Sequence, residues 1–379
     1  MAETTLVYTP RFAEYDFGPG HPMRPLRVQR TYELIRACGL LERPHVSLVA
    51  PSMVDEETLA LVHHRKYIGA VRTPRQGEYA HRALDFGLGT IDNPIVEGMY
   101  EASAIVVGGS VSAADGVIDG AASVAFNPSG GLHHARRARA AGFCIFNDAA
   151  VAIAHLLKRC GKDVKVAYVD IDAHHGDGVQ HAFYTTSDVL TVSVHQTGYT
   201  IFPGTGFVEE IGQGPGRGTS VNVPLRPGAG DEAYERVFDA VVLPVLRAYK
   251  PDVLVTQLGA DAVVGDVVAN LRMSLRQFER NVCAFRELDV PWLALGGGGY
   301  DVSNVVRAWT LAWSVIAETD LPDEIPSEWL ALAALHGVAI SKLRGNIERT
   351  PTDEAVLEDL DRTIAALRRS VFPILGVTE

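Results

Sequence analysis

Short runs of apolar, β-branched residues alternate with helix-like segments along most of this chain. The runs VKVAYV and DVLVTQL contain little polar alternation, which is typical of strands buried on both faces. Such strands, separated by helices, predict an α/β fold in which helices cover both faces of a parallel sheet. The predicted strands lie at residues 5–9, 46–50, 122–126, 164–170, 189–194, 219–225, 252–259 and 291–299. The predicted helices include residues 25–38, 94–115, 147–160, 231–249 and 274–287.

Composition narrows the class of protein. We expect one domain over residues 1–379, with a helical tail from about residue 322, because no linker rich in proline, glycine or serine interrupts the pattern. The net charge of −12, without a long basic block, argues against nucleic-acid binding. Neither a long apolar run nor a secretory signal pattern occurs, so no membrane association is expected. Four scattered cysteines indicate reduced thiols and a cytoplasmic protein.

Polar residues cluster directly after four of the predicted strands. The segment FNPSGGLHHARR follows residues 122–126, and DIDAHHGDG ends the strand at 164–170. The segment GADAVVGD follows the strand at 252–259, and GGGGY follows the last strand. Ligands of open parallel sheets bind beyond the carboxyl ends of the strands. The sequence therefore predicts one site at which four strand ends meet.

The segment DIDAHHGDG contains a possible metal site. Side chains alternate along a strand, so Asp170, Asp172 and His174 should point the same way. Asp172 and His174 can give a carboxylate oxygen and an imidazole nitrogen to one ion, and Asp261 is the natural third ligand. Two carboxylates and one imidazole suit Zn²⁺ or Fe²⁺ with a position open to water. Alternatively, Asp172 and His174 simply pair with each other near the surface.

The same strand ends offer groups for acid–base chemistry. His133 and His134 follow two glycines and are candidates for proton transfer. Such histidines need carboxylates to orient them, and Asp170 and Asp177 remain available for this purpose. Tyr300, presented by a glycine-rich loop, could donate a hydrogen bond to a developing oxyanion.

Several other residues are open to plainer interpretations. Phe143 and Phe202 are as consistent with the core as with the site. We expect His175, which points away from the metal ligands, to have a structural role. The adjacent pair His63 and His64 is predicted to lie at the surface.

Together these motifs resemble the zinc-dependent histone deacetylase family, in particular its class I-like bacterial branch, the acetoin-utilisation proteins. The likeness runs from GPGHPMRPLRVQRTYEL (18–34) to LGGGGYDVSNVVRAW (295–309). It includes DNPIVEG, GGLHHA, GFCIFNDAAVAI, DIDAHHGDGVQHAF, FPGTG and GADAVVGD. The resemblance implies the arginase/deacetylase α/β fold, with a central parallel sheet of about eight strands.

The resemblance also implies a role for each polar residue of the site. The implied zinc ligands are Asp172, His174 and Asp261. His134, supported by Asp177, is implied as general base and acid. His133, supported by Asp170, is implied as its electrostatic partner, and Tyr300 as the oxyanion donor.

A tunnel for an acyl-lysine side chain, with a rim and an internal cavity, follows from the same resemblance. The implied positions are Phe143 and Phe202 in the walls, Gly142 in the tunnel, Asp92 as the rim carboxylate, Val268 at the rim and Arg27 in the cavity through which acetate leaves. Polyamine-selective relatives carry glutamate at the position of Val268.

The family also binds K⁺ or Na⁺ beside the zinc. The implied first site consists of Asp170, Asp172, His174 and Ser193, and the second of Phe183, Thr186 and Val189. Thr219 stands where some relatives carry a tyrosine at the second site.

The implied reaction is hydrolysis of an acetyl or short acyl amide on lysine in a protein or peptide, for which an acyl-CoA synthetase is one candidate. An acetylpolyamine or small-amide hydrolase is an alternative, which Val268 disfavours. A binuclear ureohydrolase resembling arginase would need an aspartate where Gly176 stands. A non-catalytic acyl-lysine binder would be expected to lack one of the site residues, and none is missing.

Overall fold

A computed structural model describes residues 3–161, 163–334, 338 and 340–378. Its centre is one sheet of eight parallel strands in the order β2-β1-β3-β8-β7-β4-β5-β6, which confirms the predicted α/β fold. The strands are β1 (Thr4–Val7), β2 (Val46–Val49), β3 (Val124–Asn127), β4 (Val166–Asp170), β5 (Val189–Gln196), β6 (Ser220–Leu225), β7 (Val253–Gln257) and β8 (Trp292–Leu295).

Helices surround this sheet. In chain order the α-helices are α1 (Leu26–Ala37), α2 (Glu56–Leu59), α3 (Arg65–Arg72), α4 (Met99–Ile118), α5 (Asp148–Cys160), α6 (Asp177–Phe183), α7 (Asp231–Val237), α8 (Leu243–Tyr249), α9 (Leu275–Arg286), α10 (Val302–Ile316), α11 (Ser327–Ala334), α12 (Glu354–Ser370) and α13 (Phe372–Leu375). A π-helical turn, Phe238–Val242, joins α7 to α8. The apolar stripe of α12, which includes Leu360 and Leu367, is buried.

Helix α4 is long and apolar enough to cross a membrane if length and composition alone are considered. However, 72% of its most apolar window is buried within the fold. The helix packs against β3 and α5. This burial is what a core helix of a layered α/β protein shows.

The register of the sheet brings the ends of five strands into one row. Asn127 of β3 pairs with Leu295 of β8, which pairs in turn with Gln257 of β7. Gln257 is beside Asp170 of β4, and Asp170 is beside Ser193 of β5. The polar segments that follow β3, β4, β7 and β8 therefore emerge side by side at one edge of the sheet.

Candidate active site

Three buried side chains converge beyond the ends of β4 and β7. The ligand-type atoms of Asp172, His174 and Asp261 all lie within 4.8 Å of one another. His174 Nδ1 is 3.1 Å from Asp172 Oδ1 and 3.0 Å from Asp261 Oδ2. The side chains of all three residues are at most 6% exposed, so the interpretation as a surface pair does not apply. This arrangement could hold one metal ion.

The second oxygen of each carboxylate is fixed by other groups. Asp172 Oδ2 accepts hydrogen bonds from Gln257 Nε2 at 2.6 Å and from the Gly298 N–H at 2.7 Å. Asp261 Oδ1 accepts the Ala173 N–H at 2.8 Å. Each carboxylate thus keeps one oxygen directed towards His174, which is the orientation that supporting contacts around metal sites provide. Gln257 was not predicted, although a glutamine at the end of a buried strand is a visible signal.

The side chains of Asp172, His174 and Asp261 form a site that favours a positive charge. Burial lowers the pKa of His174, but hydrogen bonds and charges from the two aspartates outweigh burial and raise it to about 10. Burial and repulsion from Asp172 raise the pKa of Asp261 to about 7. Two buried carboxylates facing one point are stabilised when a cation occupies that point. The residues present therefore fit a divalent ion.

His133 and His134 lie beside this cluster and each has its own carboxylate. His133 Nδ1 is 2.7 Å from Asp170 Oδ2, and His134 Nδ1 is 2.8 Å from Asp177 Oδ1. The two Nε2 atoms are 3.0 Å apart. The structure thus contains the histidine–aspartate pairs that the family resemblance implied.

These surroundings give His133 and His134 different pKa values. Burial lowers the pKa of His133, but the charges of Asp170 and Asp172 outweigh it and raise the value to about 9. Burial and the charge of His133 lower the pKa of His134 to about 4. Of the two imidazoles, His134 therefore has the lower pKa, stays neutral near pH 7 and has a lone pair to accept a proton.

The loop that carries both histidines is supported by residues that the sequence motifs do not single out. Arg136 donates to Asp177 Oδ2 through Nε at 3.2 Å and Nη2 at 2.7 Å. His63 Nδ1 contacts the Arg136 carbonyl at 3.1 Å, and His63 Nε2 accepts the Asn147 N–H at 3.0 Å. The prediction that His63 is a surface residue is wrong, because it is 2% exposed and fills a gap between two chain segments.

Aromatic rings surround the approach to His134. Phe202 packs edge-on against His134 with ring centroids 4.9 Å apart, and Phe143 packs edge-on against Tyr300 at 5.6 Å. Gly142 has a φ of +52°, and a Cβ there would lie 2.4 Å from His134 Cδ2 and 2.8 Å from Phe202 Cε1. Only glycine fits this position. Phe202 and Phe143 are thus brought to the site.

Two further loops contact the aromatic residues of the site, Phe143 and Tyr300. His21 Nε2 contacts the Asp92 carbonyl at 3.3 Å, and the His21 ring lies 4.7 Å from that of Phe143. The exposed Asp92 is therefore close to the aromatic residues. On another side, the Asp266 carboxylate accepts the N–H groups of both Val268 and Tyr300. Asp266 was not predicted, yet it fixes Tyr300 relative to Val268.

Arg27 contacts the glycine-rich loop that carries Tyr300. Its Nη1 donates to the Gly299 carbonyl at 2.9 Å, and its guanidinium lies over the Trp309 ring, 5.1 Å from the ring centroid. It is 3% exposed and has no carboxylate within ion-pair distance among the described residues. A buried, unpaired guanidinium is a site where a small anion would be stabilised.

Several of the residues implied in monovalent cation binding lie close to one another. Ser193 is the register partner of Asp170 in the sheet. In the second set, the Thr186 N–H donates to the Phe183 carbonyl at 3.2 Å, and Thr219 Oγ1 donates to the Thr186 carbonyl at 3.1 Å. Cation binding at either place stays a prediction.

Comparison with known proteins agrees with this geometry. A family model described as "Histone deacetylase domain" matches residues 21–316, a segment that contains every site residue described above. The chain belongs to the histone deacetylase family. It is 40% identical over 337 residues to the "Acetoin utilization protein AcuC" of Bacillus subtilis (strain 168), covering 87% of this chain and 86% of that protein.

Two eukaryotic members of the histone deacetylase family are similarly related. "Histone deacetylase 1" of Homo sapiens is 38% identical over 315 residues, covering 82% of this chain and 64% of the human protein. "Type-1 histone deacetylase 1" of Dictyostelium discoideum is 38% identical over 327 residues, covering 86% of this chain and 65% of that protein. The chain thus spans less than two thirds of these longer relatives.

Proposed function

We propose that this protein is a metal-dependent amide hydrolase that removes acetyl or short acyl groups from lysine side chains of proteins or peptides. The observation that carries the proposal is the juxtaposition of a three-residue metal cluster with a neutral, carboxylate-backed histidine. His134 and His174 have ring centroids only 5.8 Å apart. A proton acceptor beside a metal site is what hydrolysis of an unactivated amide requires.

Asp172, His174 and Asp261 would hold the ion, and Zn²⁺ or Fe²⁺ suits two carboxylates and one imidazole. When bound, such an ion supplies Lewis acidity, which polarises the amide carbonyl and lowers the pKa of water to about 7. Within the described residues this is the one cluster of metal-ligating side chains found. A single ion, and not the pair used by ureohydrolases, is therefore proposed.

His134 is the residue proposed to accept and donate protons during the reaction. His134 accepts the proton of the attacking water through Nε2, while Asp177 holds its Nδ1 and fixes the tautomer. His134 then gives this proton to the departing lysine amine. His133, held by Asp170, is proposed as the electrostatic partner that stabilises the negative charge developing on the substrate.

Tyr300 completes this assignment. Burial and the charges of Asp261 and Asp172 raise its pKa well above 10, so the phenol stays protonated and can donate to the oxyanion. Phe143 and Phe202 are proposed to enclose the acyl-lysine stem, and Asp92 to bind the substrate backbone at the rim. Arg27 is proposed to receive the acetate product.

The substrate is proposed to be an acetylated protein or peptide, with an acyl-CoA synthetase as one candidate. An acetylpolyamine is a cation, and a carboxylate at the position of Val268, in addition to Asp92, would favour it. The half-buried Val268 provides none. We further propose that K⁺ or Na⁺ binds near Asp170 and Ser193, and that the protein acts in the cytoplasm.

One experiment tests the proposal directly. The purified protein, loaded with Zn²⁺ or Fe²⁺ in separate preparations, is assayed on acetyl-lysine peptides beside acetylspermidine. We expect peptide hydrolysis with a higher kcat/KM, abolished by a chelator and restored by the metal. Higher kcat/KM on acetylspermidine would favour the polyamine alternative, and peptide binding without hydrolysis would favour a reader.

A further inference from the structure

Asp148, the first residue of α5, is a buried carboxylate to which the mechanism assigns no role. It is 0% exposed, and no arginine, lysine or histidine lies within ion-pair distance of it among the described residues. It accepts the Ser110 hydroxyl at 2.5 Å, the Gly131 N–H at 3.0 Å and the Leu132 N–H at 2.7 Å. All of its backbone partners immediately precede His133.

The preceding residue holds the other side of the same loop. Asn147 Nδ2 donates to the carbonyls of His133 and Ala135, both at 3.0 Å. Asp148 therefore accepts hydrogen bonds from the N–H groups before the histidine pair. Asn147 donates hydrogen bonds to the carbonyls of the residues on either side of His134. Two consecutive side chains at the start of one helix thus hold the loop from both ends.

The charge of Asp148 is not needed to begin the helix. The cap of α5 is already supplied by Asn147, whose Oδ1 accepts the Ala150 N–H at 2.9 Å. Burial raises the pKa of Asp148 despite its hydrogen bonds, because a buried carboxylate is costly to ionise. An uncharged residue would suffice if starting the helix were the only requirement.

The packing around Asp148 leaves little freedom. A Cβ on Gly130 would lie 2.5 Å from Asp148 Oδ2 and 2.7 Å from Ser110 Oγ. Asn127, at the end of β3, donates to Ser110 Oγ at 2.9 Å, which links the carboxylate to the sheet. The loop is therefore held against both β3 and α5.

We propose that Asp148, held by Ser110, is a positioning residue that places the imidazoles of His133 and His134 for proton transfer. This inference rests on the proposed function, since it assigns a role in the same reaction. Misplacement of a reacting group by about 1 Å can lower a rate by about 10²-fold. In Asp148→Asn, one amide oxygen must replace two acceptors, and the amide NH₂ would oppose a loop N–H.

The test compares Asp148→Asn and Ser110→Ala with Ile153→Ala, which removes buried apolar volume from the same helix. We expect Asp148→Asn to lower kcat by about 10- to 100-fold with KM and bound metal unchanged. Ser110→Ala should lower kcat less, because two N–H donors remain. Ile153→Ala should lower the melting temperature but keep the wild-type kcat per folded molecule.

A second readout does not depend on turnover. The imidazole nitrogen NMR signals of His133 and His134, in protein labelled at histidine, should shift in Asp148→Asn but not in Ile153→Ala. Unchanged signals, or a kcat within twofold of wild type, would overturn the inference. If Asp148→Asn does not fold, the same criteria apply to Ser110→Ala. A wild-type protein inactive on every acetylated substrate would refute the proposed function, and the NMR comparison would still decide the role of Asp148.

Discussion

Replacing Tyr300 with phenylalanine should separate a catalytic phenol from a packing ring. Within the described part of the chain, the only hydrogen bond found for Tyr300 is that of its backbone N–H, and its hydroxyl has none. Its backbone N–H bonds to Asp266, and its ring packs edge-on against Phe143 and His174. Phenylalanine keeps all of these contacts, so only the hydroxyl is lost.

The expected effect is therefore confined to catalysis. Loss of one oxyanion donor lowers kcat by about 10²- to 10³-fold, or about 2.7–4 kcal/mol of transition-state stabilisation. Because no folded-state hydrogen bond is removed, the free energy of unfolding should change by less than about 0.5 kcal/mol. A neutral acetyl carbonyl accepts a weaker hydrogen bond than the oxyanion, so substrate affinity should change little.

The assay measures kcat and KM on an acetyl-lysine peptide, with Tyr32→Phe as the matched control. Tyr32 stacks on Tyr8 at 3.8 Å and lies outside the site. Peptide affinity is measured in a His134→Ala background so that the peptide survives. A kcat within about threefold of wild type for Tyr300→Phe would remove this residue from the mechanism.

Four further substitutions, in three experiments, test other parts of the site. Asp261→Ala should abolish binding of the divalent ion, whereas His134→Ala should keep the ion and lose turnover; metal analysis of both variants distinguishes ligand from base. Gly142→Ala, whose Cβ would lie 2.4 Å from His134 Cδ2, should lower kcat at least about 10-fold, and a wild-type kcat would contradict the close packing there. Burial lowers the pKa of His63 to about 4, so its stabilising contribution is complete above about pH 6.5 and is lost as pH falls towards 4. Between pH 6.5 and 4, the free energy of unfolding measured in urea should fall by about 3 kcal/mol less in His63→Gln than in the wild type. If both proteins show the same pH dependence, His63 is not the cause of the loss.

The sheet and the cluster of polar strand ends could be predicted because their signals are local. Each buried strand is a short apolar run, and the polar segment that follows it is adjacent in sequence. Asp172 and His174 are two residues apart in the turn that follows β4, where the His174 N–H donates to Asp172 Oδ1 at 2.9 Å, so their contact is local in sequence. The tail helix α12 was likewise visible as an amphipathic pattern.

The supporting contacts were not visible in the same way. His63 meets the Arg136 carbonyl across 73 residues, and Gln257 reaches Asp172 across 85. A buried histidine and a surface histidine have the same sequence signature, since burial depends on which loops close over the side chain. For that reason the sequence does not distinguish His63 from a surface histidine and does not reveal the role of Asp266.

The sequence by itself determined the α/β class, the family and the types of residue at each strand end. Those properties depend on local apolar pattern and on motifs whose residues are close in the chain. Only the tertiary structure decided that β8 lies between β3 and β7, which brings Tyr300 beside His174. It also decided which carboxylate oxygen is bound by the backbone and which faces His174. Such details depend on the summed packing of distant segments at distances of a few ångströms, and no local pattern encodes them.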